Sequence, residues 1–211
     1  MRPLLTLVLI LFTTISSFSQ WHIGPKFSTG IIAQKAAVIP IMPISDYVSY
    51  HMEYIGSSQT RSLGFMAFNN LGPVFLQTEL MATNYTLEFA VGANKNEAHN
   101  SEVYVENHYL IEVPFAAGVN IKNFKLGVGP VLEFNVEKES DLSIMEDYED
   151  HSNKTDFGFH WMFGYRKGIF HVDIKYVYKF ASLVDDFSFG YDEFMYKKSA
   201  NRLSVGLGIA F

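Results

Sequence analysis

The chain has 211 residues, 48% hydrophobic, 16% aromatic and 18% charged, enough for one sizeable domain with fewer charges than the usual quarter. Its formal net charge of -6 argues against nucleic acid as a partner, because phosphates demand a basic surface. Cysteine is absent, which excludes disulfides, thiolate metal sites, a cysteine nucleophile and a lipoprotein anchor.

Met1-Arg2 carries a positive end, Leu4 to Phe12 is an apolar run interrupted only by Thr6, and Ser17-Phe18-Ser19 offers small residues where a signal peptidase reads. The expectation is a cleaved export leader over 1–19 and a single mature domain over 20–211. No later segment approaches about 18 uninterrupted apolar residues, so no membrane-spanning helix is expected.

From there the chain alternates with a period of two, the mark of strands whose faces see different surroundings. WHIGPKFSTGI sets Trp21, Ile23, Phe27 and Ile31 against His22, Gly24, Lys26 and Gly30. A connection is expected over roughly 35–60, then a weak strand SLGFMAF, a turn at 69–72 and PVFLQTELMA, with Leu76 and Leu80 opposing Gln77 and Glu79. Leu87, Phe89 and Val91 change parity, so a bulge or strand end is expected over 83–86. After a connection at 92–101, Val103, Val105, Tyr109, Ile111, Val113 and Phe115 oppose Glu102, Glu106, His108 and Glu112.

A tight turn at 120–123 leads into NFKLGVGPVLEFNV, with Lys125, Gly127, Gly129, Glu133 and Asn135 on the polar or small face. The next connection, 137–153, holds the acidic run EKESDLSIMEDYED, read as solvated loop because its spacing matches no cation-binding loop. FGFHWMFGYR and FHVDIKYVYKF follow, joined by a turn at 166–168; their second faces carry His160 and Arg166, then His171, Asp173, Lys175 and Lys179. Beyond a connection at 183–198, NRLSVGLGIAF alternates Leu203, Val205, Leu207, Ile209 and Phe211 with Ser204, Gly206, Gly208 and Ala210.

These segments give about eight strands in which short turns alternate with long connections. The pattern predicts an all-β fold: a roughly eight-stranded, antiparallel, up-and-down transmembrane β-barrel. So narrow a barrel is filled by side chains and is not an open pore. Lys26, Glu79, Glu112, Lys125, Glu133, Arg166, Asp173, Lys175, Lys179 and Arg202 then face inward as an interior charge network, since an unpaired buried charge is costly. Which of them pair stays open. Pro114 and Pro130, unable to donate to a ladder, are expected at strand ends, bulges or poorly paired positions. Gly127 and Gly129 are expected either to leave room for bulky neighbours or to let the strand curve.

LGPVFLQTELMAT, YLIEVPFAAGV, FKLGVGPVLEFNV and the closing strands resemble, in this order, the PorT-type outer-membrane β-barrels of Bacteroidetes. Leu76 to Leu80, Ile111 to Pro114 and Gly127 to Pro130 carry the likeness, which spans roughly 60–211; the stretch 35–60 departs from it. The resemblance implies a Gram-negative outer-membrane location, contact with outer-membrane lipid and with barrel-assembly machinery that reads a terminal aromatic such as Phe211, and a role accessory to type IX protein secretion. Secretion-system or surface proteins are the implied partners, touching 35–60 or 137–153.

No HExxH, P-loop, Rossmann or EF-hand pattern occurs, and no cofactor or metal is expected. His160 and His171, with Asp173 and Ser182 nearby in sequence, lack the fixed nucleophile, base and orienting acid that hydrolysis requires. The favoured reading is a non-enzymatic structural or partner-binding barrel. A lipid-modifying enzyme working at the rim and a small-solute porin stand as alternatives.

Overall fold

The computed structural model describes residues 21–33, 38–41, 50–93, 102–141, 148–150, 155–180, 185–189, 192–196 and 201–211. Residues 1–19, read as a leader, lie outside them, as do Ser182 and parts of the long connections. The described residues are all-β, with strands β1 (Trp21–Ile32), β2 (Val38–Ile41), β3 (Tyr50–Ser57), β4 (Thr60–Leu71), β5 (Val74–Ala93), β6 (Glu102–Ile121), β7 (Phe124–Ser140), β8 (Tyr148–Asp150), β9 (Thr155–Lys167), β10 (Phe170–Lys179), β11 (Asp185–Phe189), β12 (Asp192–Tyr196) and β13 (Arg202–Ile209).

Among the eight long strands β1, β4, β5, β6, β7, β9, β10 and β13, neighbours in sequence pair and the last pairs with the first. The antiparallel order β5-β4-β1-β13-β10-β9-β7-β6 returns to β5 through a β5–β6 ladder, so the sheet closes on itself as a ring. β3 and β4 run in the same direction along one edge of β5, β3 against Leu87–Ala93 and β4 against Val74–Asn84. They are two halves of one stave, and nine strands therefore fill eight positions.

The connection expected over 35–60 thus contains strands β2 and β3, and the one over 183–198 contains the β11–β12 hairpin, which pairs with β8 in a separate three-stranded sheet. Long connections read as loops because short strands carry too few alternating residues to register as a period.

The expected irregularity over 83–86 is also corrected. β5 runs unbroken to Ala93, and Phe75, Gln77, Glu79, Met81, Thr83, Tyr85, Leu87, Phe89 and Val91 are all buried at alternate positions. The parity of the face never changes; its chemistry does, from polar to apolar. The register shift lies on the partner stave, between Tyr54 and Gly56, where the extra residue leaves β5 regular.

Three two-residue turns stand at one end of the ring with Trp21 and Phe211. Each begins with a residue at positive φ, Gly72 (69°), Lys122 (58°) and Gly168 (62°), the twist that tight hairpins require. Backbone hydrogen bonds stitch this rim together: Asn120 N donates to the Pro73 carbonyl (2.7 Å), Arg166 N to that of Asn123 (2.8 Å), Ala210 N to that of Ile169 (2.9 Å), and Ile23 N to that of Phe211 (3.1 Å). All four long connections leave the opposite end.

The prolines sit at gaps within long strands. β5 and β6 pair at Met81↔Glu112 and again at Thr78↔Phe115, and β6 and β7 at Pro114↔Val131 and again at Ala117↔Val128. Pro114 and Pro130 fall at these interruptions, where a missing N–H costs no ladder bond.

Candidate functional site

The ring is apolar outside and charged inside. Leu63 and Phe65 are 66% and 61% exposed, and Ile23, Leu80, Phe115, Leu126, Trp161, Ile174 and Leu207 share that outer face. Lys26, Glu79, Lys125, Glu133 and Asp173, on the alternate positions, are 4% exposed or less. An ion in such a space is tolerable only with a partner of opposite sign, and two clusters supply partners.

In the cluster nearer the turns, Lys26 Nζ donates to Glu79 Oε1 (2.8 Å) and to Asp173 Oδ2 (2.5 Å), and Lys175 Nζ donates to Glu79 Oε2 (2.6 Å). Gln77 Nε2 adds a hydrogen bond to Glu79 Oε1 (2.9 Å). Two cations thus share two carboxylates. β1 is separated from β10 by β13, and the gap is bridged because β13 carries Gly206 there. A Cβ at Gly206 would stand 2.6 Å from Lys26 Cε and 2.8 Å from Asp173 Oδ1. The near-empty face of the last strand is therefore occupied by the side chains of its neighbours; Gly208 likewise leaves room for Met66 Sδ, 2.5 Å from where its Cβ would be.

Toward the long connections, Arg202 binds Glu112 through Nη1 (2.6 Å) and Glu133 through Nη2, while Lys179 Nζ lies 2.7 Å from Glu133 Oε2 and 3.4 Å from Asp156 Oδ2. A cavity of about 20 Å³ lined by Ser28, Ser62, Glu79, Glu112, Lys175 and Arg202 lies between the clusters, room for about one water.

Of the ten charges read as an interior network, eight fall into these two clusters. Lys125 and Arg166 do not. Lys125 is buried with its Nζ 3.5 Å from the centre of the Phe68 ring and 4.9 Å from that of Phe75. Arg166 is half-buried at the turn end, its guanidinium carbon 4.7 Å from the same Phe68 ring and its Nε donating to the Gly168 carbonyl (3.0 Å).

Two kinds of residue escaped the sequence reading. Asp156 belongs to the second cluster and is findable by parity, since it precedes Gly158 and His160 on the same face. Phe68 and Phe75, both fully buried, are aromatic residues on the inner face, opposite to the rule their neighbours follow. Gly127 is the signal for Phe75, whose Cζ stands 2.8 Å from where a Cβ would be. Gly129 serves a purpose outside those expected, a close backbone approach, with the Phe115 carbonyl oxygen 1.9 Å from its Cβ position.

His160 and His171 are both buried, but they sit at different heights, His160 opposite Val177 and His171 opposite Arg166. His171 Nε2 is 3.4 Å from Asp173 Oδ2, whose oxygen also accepts from Lys26. Phe211 projects its ring outward, 73% exposed. No protein-family model matches the chain, and no curated protein matches it.

Proposed function

We propose that the closed ring is a transmembrane β-barrel of a Gram-negative outer membrane, acting as a structural or partner-binding element without chemistry of its own. The observation that carries this reading is the inversion of the usual arrangement: apolar side chains all round the outside, ion clusters within. On a soluble monomer so large an apolar surface is an aggregation hazard; against lipid tails it is matched. The ten residues of β10 span about 34 Å along the strand, or about 26 Å at a typical tilt, the height of a barrel's apolar band. The leader-like pattern over 1–19 supports export.

The filled interior favours a closed barrel over a porin, because lysine, arginine and carboxylate side chains occupy the path a solute needs. A partner's natural seat is the end from which the long connections leave, where β5, β6 and β7 outrun the shorter strands. The likeness to PorT-type barrels, which rests on short motifs, supports a role accessory to type IX secretion.

Membrane fractionation tests the solvent. The protein should stay with outer membranes through an alkaline wash and need detergent for extraction; a monodisperse monomer in detergent-free buffer overturns the reading. Reconstituted in planar bilayers it should give no steady conductance. For the secretion role, deletion of the gene should deplete surface and secreted cargo, restored by complementation, and unchanged secretion removes that role.

A further inference from the structure

The turn end of the ring holds a second, chemically different site. A cavity of about 420 Å³ opens there, lined by the cations Lys122, Lys125 and Arg166 and by the amides of Asn70, Asn120 and Asn123. None of its lining residues is a carboxylate. The other buried cations, Lys26, Lys175, Lys179 and Arg202, each have a carboxylate in contact. Lys125 has none among the described residues: its ammonium is buried without a hydrogen-bond partner, against the face of Phe68. Arg166 leans on the same ring. An aromatic face offsets only part of the cost of burying an ammonium, and two cations on one ring repel each other. The arrangement lacks an anion.

We propose that this mouth binds a phosphate group, held by Lys122, Lys125 and the terminal amino groups of Arg166. Three cationic side chains round one mouth without a carboxylate suit a multiply charged oxyanion, which phosphate supplies in one group. Arg166 is already oriented through its Nε bond to Gly168, which leaves its two terminal nitrogens for the ligand. Asn120 is fixed in turn, its Nδ2 donating to the side-chain oxygen of Asn70 (3.3 Å) and to the Gly72 carbonyl (3.4 Å). The phosphate has two possible sources, the free anion and a phospholipid headgroup. The site lies inside the mouth and does not depend on what covers the outer face.

The test is a titration of the full ¹⁵N-labelled chain in a phosphate-free sugar detergent, with inorganic phosphate in one arm and dihexanoylphosphatidylglycerol in the other. Millimolar ligand should shift the amides of Lys122, Asn123, Arg166 and Gly168. Lys122→Asn and Lys125→Met should each weaken binding about tenfold, the usual worth of one charge-assisted contact. Asparagine tolerates the positive φ of position 122, so that variant keeps its fold, and the methionine stem still covers Phe68. Shifts by inorganic phosphate assign the site to the free anion, and shifts by the lipid analogue alone assign it to a headgroup. No shift from either probe, or equal midpoints in both variants and the parent, overturns the proposal.

Discussion

Two levels of the same interior treat charge differently. Midway along the ring Lys26, Lys175, Glu79 and Asp173 satisfy one another, and at the turn end Lys125 and Arg166 face an aromatic ring, Lys125 with no hydrogen-bond partner among the described residues. The paired level is a structural element, since its ions hold staves that are not ladder neighbours: Lys26 on β1 reaches β5 and β10 across β4 and β13. The other level joins staves through an aromatic ring instead, Lys125 on β7 and Arg166 on β9 both lying against Phe68 on β4.

That contrast can be broken in order of effect, each variant measured by urea unfolding in detergent micelles. Glu79→Gln should be the most damaging, about 3–5 kcal/mol, because it deprives the buried Lys26 and Lys175 of a shared anion. Adding Lys175→Met to Glu79→Gln should recover about 1–2 kcal/mol, since a cation without a partner is then replaced by an apolar stem of similar length; a double variant no better than the single one would mean that Lys175 finds another partner. Gly206→Val comes next at about 1–3 kcal/mol, by driving methyl groups into the space of Lys26 Cε. Lys125→Met should change stability least, by under ~1 kcal/mol, because losing the cation–π contact is offset by removing a desolvated charge. A cost for Lys125→Met as large as that for Glu79→Gln would erase the distinction between the two levels.

The inward face of nearly every strand was legible in the sequence, and the depth of each residue was not. Lys26 and Arg166 read alike, as cations on the polar side of an alternating strand, yet one sits in the paired cluster and the other at the mouth. Parity assigns a side chain to a face; register decides its height. Arg166 stands opposite His171 beside the last turn, and Asp173, two residues further along β10, meets Lys26. The change from polar to apolar along the inner face of β5 misled for a related reason: the inside of this ring is not one environment. Gln77 and Glu79 face ion partners, whereas Leu87, Phe89 and Val91 continue the same buried row beyond them.

The sequence by itself determined that the chain alternates in twos, that tight turns alternate with long connections and that one set of faces is oily, because side-chain direction in a strand is a local consequence of the backbone. The tertiary structure alone decided that the sheet closes through β5 and β6, that Gly206 clears the way between Lys26 and Asp173, and that Lys125 is buried against Phe68 without an anion among the described residues. These depend on the stagger between strands distant in the chain, which no local pattern encodes.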